Sequence, residues 1–200
     1  MQIFQLDSQE TIEYWHSELL DAPRKNDFIF LSHDIANTIW FVTNYIQFLS
    51  RSGNSEITQV YGKHVNSLED FIYQVNYSLP VGGRLKTNIH ALYDLLLNFE
   101  TEPLRRIIVW TDANSLFTKS RVEFENIFDV MVAAAYCNRN AISTIKENGE
   151  RYKVDQRNLF FFQGIDYPNI QYLIEKKYHI PSLDEPDLEM QLEFDVVNVF

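Results

Sequence analysis

Large apolar residues in this chain fall into short unbroken runs, separated by longer stretches in which they recur every three or four positions. The runs are Phe28-Ile29-Phe30-Leu31, Ile107-Ile108-Val109-Trp110 and Leu159-Phe160-Phe161-Phe162. A strand that is apolar on both faces is covered by helices on both sides, so these runs predict central strands of a parallel sheet. Glu56 to Val65 alternates more weakly and predicts a further strand.

Between the strands the period lengthens. Ile35, Ile39, Val42, Ile46 and Leu49 follow 4-3-4-3 spacing, and Phe41, Tyr45 and Phe48 widen the stripe, which predicts a long helix covered on most sides. Leu68, Phe71, Ile72 and Val75 mark a second helix, Ile89, Leu92, Leu96 and Phe99 a third. Phe124, Ile127, Phe128, Met131, Val132 and Ala135 mark another. Ser67 with Asp70, and Ser120 with Glu123, have capping-box spacing, and Asn88 is placed to cap the helix after it. Upstream, Ser8 or Asp7 is placed to cap a helix carrying Ile12, Trp15, Leu19 and Leu20.

The polar stretch Asn138 to Arg157 reads as a surface excursion. After a helix near Ile170 to Lys177, Met190, Leu192, Phe194 and Val196 alternate with Glu189, Gln191, Glu193 and Asp195. That pattern predicts a half-buried antiparallel strand at an edge, with an acidic face that deters unwanted pairing. The whole predicts a three-layer α/β sandwich with a mostly parallel sheet and an extra edge strand near the C-terminus. Residues 1–26 form an N-terminal helical segment, 27–164 the core, and 165–200 a helix and edge strand packed on it.

Composition narrows the function. With 200 residues, 46% hydrophobic and 14% aromatic, the chain can bury a sizeable core, and only six Gly and six Pro argue against a long linker. The net charge of −11, with no compact basic tract, disfavours broad nucleic-acid binding, which depends on Lys and Arg at phosphates. No stretch approaches the roughly 20 apolar residues that span a bilayer, and no basic-then-apolar leader opens the chain, so a cytoplasmic location is expected. Cys137, the lone cysteine, cannot form an internal disulfide and reads as a small buried hydrophobe. Neither a metal-binding histidine spacing nor a nucleophile elbow is present, which gives no support to a metal site or nucleophilic catalysis.

Asp112, just past the Ile107–Trp110 run, stands at the carboxyl edge where open α/β sheets bind ligands. An aspartate there also serves simply to cap the next turn. The order of elements, with LSHDIANT after the first strand and IIVWTDA on a later one, resembles the P-loop NTPase core, especially its AAA-type branch. The resemblance covers about residues 27 to 164 and implies the same fold. It places Leu31 and Ala36 at the glycines of the phosphate loop, Asn37 at its lysine and Thr38 at its hydroxyl residue. It places Asp112 on the magnesium side and Ala113 at the usual catalytic glutamate. Asn37, Thr38 and Asp112 are the nucleotide-site candidates, Asp112 also the metal candidate. Without the glycines and lysine the phosphate cradle has no substitute, and Asp34 puts a carboxylate into the turn, so Mg-nucleotide binding and ATPase activity are disfavoured.

The middle of the chain also resembles barstar, a small ribonuclease inhibitor, through VYGKHVNSLEDFIYQVNYSLP, NIHALYDLLLNF and RRIIVW. This resemblance places Asp94 at an acid that faces a basic ribonuclease, while His90 departs from a second acid and the loop between Pro80 and Asn88 is longer. The expectation is a non-catalytic, NTPase-like module that binds a protein partner. A barstar-like inhibitor and a weak Mg-nucleotide ATPase are the alternatives.

Overall fold

The computed structural model describes residues 2–4, 13, 17, 26–51, 55–78, 87–97, 105–142, 149–150, 153–181 and 188–199. The three apolar runs become β2 (Asp27–Ser32), β4 (Arg105–Thr111) and β5 (Asp155–Gln163), joined by β3 (Ser55–Tyr61). A short β1 (Gln2–Phe4) and a final β8 (Phe194–Val199) complete one sheet, ordered β1-β8-β2-β5-β4-β3. Every pair in it is parallel.

Helices cover both faces because alternate residues of each strand point to opposite sides and nearly all are apolar. On one face Phe28, Phe30, Ile107, Val109, Leu159 and Phe161 pack under α1 (Ile35–Arg51). On the other, Ile29, Leu31, Ile108, Trp110, Phe160 and Phe162 meet α2 (Leu68–Ser78), α3 (Ile89–Leu97), α4 (Asn114–Lys119) and α5 (Arg121–Asn140). This face also takes α6 (Tyr167–Glu175), with Ile170 and Leu173 buried. The three-layer α/β sandwich is therefore present.

Local signals were realised unevenly. The Asp70 amide donates to Ser67 Oγ at 3.2 Å while the Asp70 carboxylate accepts from the Asn66 amide at 2.9 Å, and Asn88 Oδ1 accepts from the Ala91 amide at 2.9 Å. Ser120 heads α5 without a side-chain cap, so the Ser120 with Glu123 box does not form. Of the helix expected over residues 8–20, only Glu13 and Ser17 are described, both in helical conformation and exposed; the rest of it lies outside the described residues.

Three expectations are corrected. First, α1 buries Phe41, Val42 and Tyr45 of the predicted stripe, joined by Thr38, but Ile39 is 61% exposed. Rings set this phase, because Phe41 stacks on Tyr45 at 5.6 Å and lies against Phe30, which itself stacks on Phe161 at 4.4 Å. Burying aromatic area outweighs burying one isoleucine.

Second, the polar stretch from Asn138 is no surface excursion at either end. Helix α5 runs to Asn140 and β5 starts at Asp155, so Asn138, Arg139, Gln156, Arg157 and Asn158 are buried. They are tolerated because each finds a partner: Asn138 Nδ2 donates to Gln156 Oε1 and Arg157 Nε to Asp155 Oδ1, both at 2.6 Å, while Arg139 and Asn158 reach β2. Arg139 Nη1 donates to Asp27 Oδ1 at 2.9 Å and to the Gln156 carbonyl at 2.8 Å. The Asn158 amide donates to the same Asp27 oxygen at 2.9 Å.

Third, the acidic alternating segment is two strands. β7 (Leu188–Gln191) is the expected extra strand, antiparallel to β6 (Lys177–Ile180), but it ends there, and Leu192 and Glu193 belong to no strand. It then enters the main sheet as β8, parallel to both β1 and β2.

Candidate functional site

The strand order brings the ends of β2, β5 and β4 side by side, so the turn after β2 and the turn after β4 flank the end of β5. The turn after β2 is Ser32-His33-Asp34. Asp34 precedes the first residue of α1, and its Oδ1 accepts from the Ala36 amide at 2.8 Å. Ser32 Oγ donates to the Asp34 carbonyl at 2.7 Å. The Thr38 hydroxyl bonds to Ser32 Oγ and to the Asp34 carbonyl, the latter at 3.2 Å, and Thr38 is 8% exposed.

This arrangement has a chemical consequence. A helix start carries unpaired amides and partial positive charge, which is what attracts phosphate. Here a carboxylate of the chain itself already takes an amide of that first turn. The Thr38 hydroxyl is committed to the turn, and no glycine opens the backbone between Leu31 and Thr38. Asn37 lies in the first turn of α1, its side chain outside the described residues.

After β4, Asp112 has φ +48°, in the left-handed region that aspartate and asparagine tolerate better than most residues. Its carbonyl accepts from the Ser115 amide at 2.9 Å, and the neighbouring Ala113 amide donates to the Phe161 carbonyl at 2.9 Å. Ala113 itself is fully buried, so no carboxylate stands where the catalytic glutamate of an NTPase would.

Gly62 explains why the chain turns so tightly beside it: a Cβ there would come within 2.2 Å of the Thr111 carbonyl oxygen and 2.3 Å of that of Asp112. Any side chain at 62 would displace the Asp112 turn. Gly164, at the end of β5, leaves similar room for the His33 ring, whose Cε1 would lie 2.4 Å from an added Cβ. Two residues on, burial pushes the Asp166 carboxyl above its ordinary value.

These turns border a cleft of about 790 Å³, which Thr38 and Asp112 both line. Thr38 and Asp112, two of the three nucleotide-site candidates, thus reach one site. Asp94 does not: it is exposed on α3, away from the cleft lining. Gly62, Gly164 and the lining residues Gln59 and Lys63 escaped sequence reasoning; a lone glycine directly after a strand, as in VYGK, was the one signal available. Among the described residues, no three His, Cys, Asp or Glu side chains converge as a metal site would require, and no helix is long and apolar enough to cross a membrane.

Comparison with known proteins agrees with both resemblances. A family model described as barstar, barnase inhibitor, matches residues 56–154, from the second residue of β3 to the residue before β5. No curated protein matches the chain. Among solved structures, the Aeropyrum pernix ORC2 protein, determined as ADPNP-ADP complexes, superposes with a TM-score of 0.54 at 14% identity. The match covers 94% of this chain and 45% of that one, so the present chain spans less than half the length of its structural neighbour. The chain therefore has a P-loop NTPase-like α/β fold and, over its middle, resembles barstar.

Proposed function

We propose that this chain is a non-catalytic, NTPase-like module of the cytoplasm that acts by binding another protein. The carrying observation is the turn after β2, where Asp34 supplies to α1 the anion that a nucleotide would otherwise bring. Two further features support it: Ala113 in place of a catalytic acid, and Thr38 held by Ser32 and Asp34 rather than turned to a metal. The structural neighbour was determined with ADPNP and ADP, which makes nucleotide turnover the activity to test against. Purified protein with Mg-ATP or Mg-GTP should release phosphate no faster than buffer, and Asp112→Ala should leave that baseline unchanged. Metal-dependent turnover lost in Asp112→Ala would overturn the proposal.

A second reading, a barstar-like inhibitor, is favoured by the family match over residues 56–154 and by the exposure of Asp94 on α3. It requires that the chain inhibit barnase, that Asp94→Ala weaken inhibition, and that association slow steeply as salt rises, since capture of a basic protein by an acidic face is electrostatically steered. Absence of inhibition at micromolar protein would remove this reading and leave the first intact.

A further inference from the structure

The cleft beside the closed turn is built for something other than phosphate. From Thr38 to Gln47 it follows one flank of α1, nine steps of 1.5 Å or about 14 Å, so it runs from the carboxyl edge of the sheet back along the sheet face. Its walls are largely apolar there: Val42 and Ile46 from α1, and Phe161 from β5. Six large apolar side chains stand exposed among the described residues, and three of them, Ile39 at 61%, Tyr61 at 54% and Ile165 at 81%, line this one cleft. Exposed apolar side chains gathered around a concavity mark a binding surface.

The ionisable lining is small and of both signs, Lys63 and Asp112 together with His33, and the amides of Gln47 and Gln59 line the cleft as well. A triphosphate would need cations here, and one lysine beside an aspartate does not provide them. At about 790 Å³ the volume falls within the roughly 300–1,000 Å³ of sites that enclose a small organic molecule.

The geometry points to a binding site for an uncharged, mostly apolar small molecule, lying along α1 with its hydrogen-bonding groups toward Gln47 and Gln59. The inference does not depend on the proposed function: the cleft can take such a ligand whether or not the chain binds a protein, and its failure would leave the closed turn as described.

Nile red, neutral and fluorescent in apolar surroundings, is the probe. Titration into the full chain should give saturable fluorescence at one dye per protein. Thr43→Trp, from an exposed position on the lining, should fill the cleft and weaken binding by about tenfold or more, and Ile39→Asp should do the same at the mouth. Tyr77→Asp, at a 90% exposed position outside the lining, should leave binding unchanged. Circular dichroism of each variant establishes that it is folded. The inference is overturned if the dye gives no saturable signal, if both cleft variants bind as the parent does, or if Tyr77→Asp is the variant that loses binding.

Discussion

Replacing Arg139 with alanine should destabilise the fold by about 3–5 kcal/mol, the range found when one partner of a buried ion pair is removed. Asp27 is 1% exposed and Arg139 5%. Their 2.9 Å contact ties β2 to the end of α5, and the same guanidinium nitrogen reaches β5 through the Gln156 carbonyl. Without Arg139 the Asp27 carboxylate stays buried with the Asn158 amide as its described donor, and a buried anion short of partners costs far more than the pair contributes when intact. Exchanging both members for apolar residues of similar volume should therefore recover much of the loss. Urea denaturation of the two variants separates the outcomes. A loss below about 1 kcal/mol in Arg139→Ala would match a surface pair and contradict the burial.

Trp110→Ala should lose a comparable amount, about 3–5 kcal/mol, through lost apolar transfer and the cavity left behind. The indole is fully buried between sheet and helices, with ring centroids 4.7 Å from Phe71, 5.3 Å from Phe124 and 6.3 Å from Phe160. Three elements beyond β4 thus lose contact at once. Trp110→Phe should cost much less, for a specific reason: the indole Nε1 is buried and has no hydrogen-bond partner among the described residues. Phenylalanine removes that uncompensated donor along with some area, and the two effects oppose each other. Thermal or urea unfolding that ranks Phe equal to Ala would show that the donor is paired after all.

What could be read in the sequence follows from how local each signal is. Runs apolar on both faces, such as Ile107 to Trp110, need no knowledge of partners to be recognised as central strands, and all three became so. The caps at Ser67 and Asn88 are equally local. Asp112 and Thr38 were placed at one site through a resemblance of element order, and they line one cleft.

The rest was hidden by distance. Arg139 looks like a solvated residue unless its partner is known, and that partner, Asp27, is 112 positions away. β1 is three residues long and exists by pairing with β8 at the other end of the chain, Gln2 opposite Val197. Ile39 shares the 4-3-4-3 spacing of Val42 and so is expected in the core, and only the stacking of Phe41 on Tyr45 above the sheet turns it outward. Its outward turn also hides the cleft from a reading of the pattern, since Ile39 belongs to the cleft lining and not to the core.

The central claim is that the chain's own carboxylate has closed the phosphate turn, and calorimetric titration with Mg-ATP tests it most directly. The predicted result is no saturable heat and no Tm shift at millimolar nucleotide, where a ligand present at 100 times its Kd would add about 2.7 kcal/mol of stability. A stoichiometric, magnesium-dependent isotherm that disappears in Asp112→Ala would contradict the account.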